Sequence, residues 1–212
     1  EFGGCARAGK SVRTALSALM SKMADSQVTG RLTSIMKKIN LEDGTEARGY
    51  RKIEISTQRN YLLGFEFDKK LSINGVFNAP YDVTHTAGRE SADFIIAPFN
   101  PADLISAPSG TTHFRLINAL AVVADFVYNA TTGTYDPDDI VNNELSIVEY
   151  SDYIPLNTAY AGSTLTATLP GAPTLGANVT GIQCIGIEFF QEVNTNYYAL
   201  NSGNCLRIED AF

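Results

Sequence analysis

The chain has 212 residues, 44% apolar and 18% charged, enough apolar side chain for a sizeable core, which excludes disordered, collagen-like and fibrous classes. No run approaches the roughly 18 consecutive apolar residues of a membrane span, so no membrane span is expected. The net charge of −7 is unevenly spread: Arg7, Lys10, Arg13, Lys22, Arg31, Lys37 and Lys38 face only Glu1 and Asp25 in residues 1–40, and no lysine follows Lys70.

After a glycine-rich start, Ala6 to Met23 reads as a helix, with Val12, Ala15, Leu16, Leu19, Met20 and Met23 on one stripe. Asp25-Ser26 interrupts it, and Ser26 is placed to N-cap a second helix to about Ile39, whose stripe is Val28, Leu32, Ile35, Met36 and Ile39. The pair predicts a helical hairpin whose apolar stripes must cover each other or a sheet. Turn residues occupy Leu41 to Gly49, and strands and loops follow.

Strands are expected around Ile53–Ile55, Tyr61–Phe67, Tyr81–Thr86, Ser91–Ala97, Thr112–Asn118, Ala121–Tyr128, Glu144–Tyr150, Ser163–Leu169, Ile182–Glu192 and Cys205–Glu209. Ala87 to Glu90 and Val193 to Asn196 read as hairpin turns, and the eight prolines fall between the runs. Leu62-Leu63-Gly64-Phe65-Glu66-Phe67 echoes Cys184-Ile185-Gly186-Ile187-Glu188-Phe189, suggesting equivalent strands with Glu66 and Glu188 on solvated faces. Together these predict a mainly β protein, an antiparallel β-sandwich of jelly-roll or Ig-like type, with an N-terminal α-helical hairpin over residues 1–44 and the sandwich over 45–212.

Several motifs carry potential chemistry. Gly4-Cys5-Ala6-Arg7-Ala8-Gly9-Lys10-Ser11 satisfies GxxxxGK[ST], in which Lys10 would reach terminal phosphates and Ser11 would hold magnesium; Asp125 after an apolar run mimics the second magnesium partner. A phosphate loop needs a buried parallel strand before it, however, and only Glu1, Phe2 and Gly3 precede this one. His85 and His113 lie in strand contexts without a nucleophile elbow, so neither points to nucleophilic catalysis. Asp136, Asp138 and Asp139 concentrate three carboxylates in one loop, a set suited to structural calcium and equally to ordinary turn chemistry. No other cofactor is expected.

Cys5, Cys184 and Cys205 fit no zinc spacing. If Val193 to Asn196 is the hairpin turn, antiparallel counting sets Cys184 opposite Cys205, as a disulfide or as buried thiols should Asn201 to Asn204 bulge the strand. Tyr135, Tyr197 and Tyr198 are candidates for a glycan platform in a chain without tryptophan. Nucleic acid is not the expected partner, since cations on the wet side of a helix pair account for the basic stretch.

In Glu1-Phe2-Gly3 through Thr14-Ala15-Leu16, Gly64-Phe65-Glu66-Phe67, Ala79 to Thr84, Ala107 to Phe114 and Gly186 to Asn194, the chain resembles a group of uncharacterised Bacteroidota-type bacterial proteins. Members of that group carry a further N-terminal β-like segment before the Glu-Phe-Gly, so cleavage or loss of order upstream is expected here. The resemblance implies an architecture and supplies no catalytic residue.

The opposed charge blocks, the lysine-free body and the lack of a catalytic constellation predict a non-enzymatic structural subunit. Its partners would be further copies of itself, forming an extracellular or cell-surface filament or shell-like array, with strand addition at an open sheet edge as one mode. The alternative is a monomeric surface module binding glycan or protein; nucleotide binding through Lys10 comes third.

Overall fold

The computed structural model describes residues 1–212. Helices α1 (Phe2–Ala15), α2 (Ser17–Met23) and α3 (Val28–Glu42) come first. The strands follow as β1 (Tyr81–His85), β2 (Ser91–Ile96), β3 (His113–Ala124), β4 (Phe126–Asn129), β5 (Thr134–Pro137) and β6 (Ser146–Tyr150). The last five are β7 (Ile154–Pro155), β8 (Ser163–Thr168), β9 (Val179–Val193), β10 (Asn196–Ala199) and β11 (Cys205–Ala211). The protein is mainly β, and every strand pair is antiparallel.

The centre is the long pair β3 and β9, in register from His113 opposite Phe190 to Ala124 opposite Val179. β6 and β7 extend the sheet beyond β3, and β10 and β11 extend it beyond β9. Both central strands read as nearly unbroken apolar runs because both faces of the sheet are covered. Ile117, Ala119, Ala121 and Val123 of β3, with Ile182 and Cys184 of β9, join the helices in one cluster of 26 buried residues. The alternate residues Phe114, Leu116, Leu120 and Val122, with Ile185, Ile187 and Phe189, pack under a smaller sheet ordered β1-β2-β8. The layers therefore run helices, large sheet, small sheet.

Two buried amides tie the sheets together. Asn118 Nδ2 donates to the carbonyls of Ala92 and Leu165, and Gln183 Nε2 donates to the carbonyl of Asp93 and to Asn118 Oδ1. A buried amide without such partners would cost about 1–3 kcal/mol, so this placement fixes the small sheet on the large one.

The helical hairpin forms with modest shifts. The first run breaks at buried Leu16, where φ is −101° and ψ 19°, leaving α1 and α2. Ser26 does not cap α3: Asp25 instead accepts from the Gln27 N–H at 2.7 Å and pairs with Arg31 at 2.9 Å. Gly4 and Gly9 allow α1 to pack closely, since a methyl at Gly4 would overlap the Tyr135 ring and one at Gly9 would press on the α3 backbone.

Other strand expectations are corrected. Thr112–Asn118 and the first residues of Ala121–Tyr128 merge into the single strand β3. Ile53 makes one bridge to Phe126, while Tyr61 and Leu62 enter a short 3-10 turn. The echo segments are not equivalent strands: Gly64 to Phe67 runs along one side of β11 and Cys184 to Ile187 along the other. Nor is Glu188 solvated, its side chain being only 2% exposed.

Candidate functional site

The phosphate-loop match is helix from end to end, because Gly4 through Ser11 lie inside α1. From Cys5 onward its backbone N–H groups are committed to the helix, so no loop is available to cradle phosphates. Ser11 Oγ donates to Glu144 at 2.7 Å, and Asp125 accepts from the N–H and hydroxyl of Ser56 at 2.8 and 2.6 Å. Arg7, Lys10, Ser11 and Glu144 do line a cleft of about 280 Å³, but there Arg7 is already paired with Asp136.

The aspartate loop does not converge. Asp136 faces Arg7, Asn129 and Thr134; Asp138 accepts from Asn178; Asp139 accepts from the backbone of Val141 and Asn142. No three His, Cys, Asp or Glu side chains come together as a metal-ligating group anywhere in the chain. Hydrogen bonds from Asn142 hold Asp139 below the usual carboxylate range, as those from Asn129 do for Asp136.

The cysteine alignment is corrected by the loop after β10. Tyr197 lies opposite Glu192 as counted, but Asn201 to Asn204 takes up slack, and Cys205 then pairs with Ile187 while Cys184 pairs with Ile208. The two thiols point to opposite faces of the sheet, Cys184 among the helices and Cys205 under the small sheet. All three cysteines are free and buried. Tyr135 is likewise corrected: it is 4% exposed, and its hydroxyl donates to the Gly49 carbonyl at 3.0 Å.

What does assemble is an aromatic platform at the end of the large sheet, on the face the helices cover elsewhere. Helix coverage stops near Lys22, whose ammonium lies 3.4 Å from Glu188, and beyond it the face continues as Arg115, Phe190 and His113. Tyr197, exposed on the β9-β10 hairpin, stacks on Tyr153 with centroids 4.0 Å apart and planes 11° apart. That hairpin turns through Asn194 and Thr195 at φ of 51° and 64°, the left-handed pair that a tight two-residue turn requires. Tyr153 also meets buried Phe190 edge-on at 4.8 Å, and Tyr197 meets His113 at 4.9 Å. Tyr198, the third sequence candidate, is exposed on the same hairpin.

Arg115 anchors the platform. Its guanidinium carbon lies 3.9 Å from the Tyr150 ring centre, 5.3 Å from Phe190 and 5.9 Å from Tyr153. Its Nε donates to Glu188 at 2.6 Å. Burial and the neighbouring Glu188 push the Tyr150 hydroxyl above its ordinary pKa, and Arg115 partly offsets them. Arg115 is not legible in the sequence because its partner Glu188 lies 73 residues away and meets it only through strand register. Its one signal was an arginine in an otherwise apolar strand beside aromatic residues.

His85 is the remaining histidine, stacked on Phe212 at 3.8 Å with Asp210 3.4 Å away. No helix is long and apolar enough to cross a membrane. Comparison with protein-family models and with curated proteins finds no match.

Proposed function

We propose that the protein is a non-enzymatic structural subunit whose copies associate head to tail into an extracellular filament or shell-like array. The observation that carries this reading is the separation of charge across the layers. The helices bear Lys10, Arg13 and Lys38 outside any ion pair, beside Arg7, Lys22 and Lys37, which are paired with Asp136, Glu188 and Glu1. On the far side, β1, β2 and β8 bear Asp82 and Asp93 among serines and threonines, with no lysine or arginine. Unlike faces on opposite poles match heterologously, and heterologous contacts propagate into rings or filaments.

Surface shape supports the same reading. A groove of about 460 Å³ between α1 and α3 is lined by Ala6, Gly30, Thr33 and Ser34, with Phe2 72% exposed at its rim. β1 and β10 are each paired on one side only, leaving backbone groups free for strand addition. Stacked antiparallel sheets of the jelly-roll or Ig-like kind serve as shell and filament subunits elsewhere, a fold-level analogy.

Sedimentation velocity and light scattering across concentration and salt test the proposal. Growth in particle mass with concentration, reduced by salt and by the pair Lys10→Glu and Arg13→Glu, is the expected result. A monomer that persists at high concentration and low salt overturns it. A second reading, a surface module binding glycan or protein, is favoured by the Tyr153-Tyr197 platform; saturable binding lost in Tyr197→Ala supports it.

A further inference from the structure

Arg115 is held rigidly yet has donors to spare. Its Nε is bonded to Glu188, whose other oxygen faces Lys22, and its plane lies over Tyr150. No group of the chain accepts a hydrogen bond from either Nη, and neither Nη is among the buried unpartnered atoms, so both open to solvent. A guanidinium fixed this way has already lost its conformational freedom and presents a planar fork that fits one carboxylate through two parallel hydrogen bonds. Glu188 and Glu192 share this face, which suits a single negative charge and disfavours a polyphosphate or a nucleic-acid backbone.

Beside the fork stand Tyr150, Tyr153 and Tyr197, each partly exposed on an open surface. Tyr153 and Tyr197 cover one face of each other and Arg115 covers one face of Tyr150, so it is an outer ring face that would take the C–H face of a sugar, and a site on an open surface suits an extended chain better than a small enclosed ligand. We propose that this platform binds a uronic acid residue of an acidic glycan, the sugar lying on Tyr153 or Tyr197 and its carboxylate accepting from both Nη atoms of Arg115. The proposal rests on the binding-module reading above and goes beyond it by naming the charged group recognised.

The test is titration with a xylo-oligosaccharide bearing a single glucuronic acid, followed by calorimetry and by tyrosine emission, which no tryptophan obscures. The carboxyl-reduced oligosaccharide, a neutral glucan and an acidic peptide are the comparison ligands. Because Arg115→Gln alone would strand the Glu188 charge, the informative variant is Arg115→Gln with Glu188→Gln, checked for folding by circular dichroism. Saturable binding to the uronate is expected, weakened roughly tenfold or more both by carboxyl reduction and in the double variant. Tyr197→Ala should weaken it as well. Equal affinity for the reduced sugar or the glucan, or unchanged affinity in the folded double variant, overturns the carboxylate role while leaving the module reading intact. Binding of the acidic peptide in preference to every sugar overturns the glycan class. Failure of every ligand to bind overturns the proposal and the glycan form of the module reading together.

Discussion

Asp43 lies where α3 ends, and its carboxylate gathers the chain that leaves the helix. It accepts from the Thr45 N–H and hydroxyl, the Glu46 N–H and the Lys52 N–H. Burial pushes its carboxyl up, but these hydrogen bonds outweigh burial and hold it down at about 2. An unfolded aspartate titrates near about 3.9, so the folded state binds the proton less readily. The stability this group contributes is therefore fully present above about pH 4 and is lost as pH falls towards 2. Asp43→Asn should cost about 1–3 kcal/mol at neutral pH and flatten the acid limb of stability, measured by urea unfolding at successive pH values. The cysteines show the opposite balance. Burial raises Cys184 far above its ordinary value and Cys205 to about 12, so neither supplies a thiolate at neutral pH.

At the scale of elements, helix glycines of two kinds distinguish internal packing from outward-facing surface. Gly4 touches the Tyr135 ring, whereas Gly30 in α3 has nothing within 4 Å of an added Cβ. Gly4→Ala should destabilise the protein by about 1–3 kcal/mol through overpacking. Gly30→Ala should stabilise the isolated molecule by roughly 0.5–1 kcal/mol, since it replaces the more flexible residue without a clash. Thermal unfolding of both variants checks the contrast, and a loss of stability in Gly30→Ala would mean that α3 is constrained in a way its surroundings do not explain. The same element logic accounts for β3. Its first residues alternate where the platform is open, and its later residues are apolar throughout where helices and the small sheet cover both faces.

For the whole molecule, the helices are a layer of the core rather than an appendage. Without residues 1–44, the sheet face formed by Ile117, Ala119, Ala121, Ile182, Cys184, Leu206 and Ile208 would lie open to water. Residues 45–212 alone are expected to aggregate or remain unfolded, while the full chain unfolds in one cooperative transition by circular dichroism and tyrosine emission alike. A soluble, cooperatively folding 45–212 fragment would show that the helix layer is dispensable.

Local features of the sequence determined the helical hairpin, most strands and the β9-β10 turn, because periodicity and turn residues act within a few positions along the chain. The tertiary structure alone decided which distant groups meet. A loop at Asn201 to Asn204 moved Cys205 to Ile187 rather than Cys184, three positions away, and so separated two thiols that counting had joined. The glycines of the apparent phosphate loop became contact points for Tyr135 and α3, because their place within a helix outweighed the motif they spell. Tyr135 was drawn into the core while Tyr153 and Tyr197 stacked at the surface, and Arg115 found Glu188 across the β3-β9 ladder. Such pairings depend on strand register and on which face each layer covers, which arise only when segments far apart in sequence pack together.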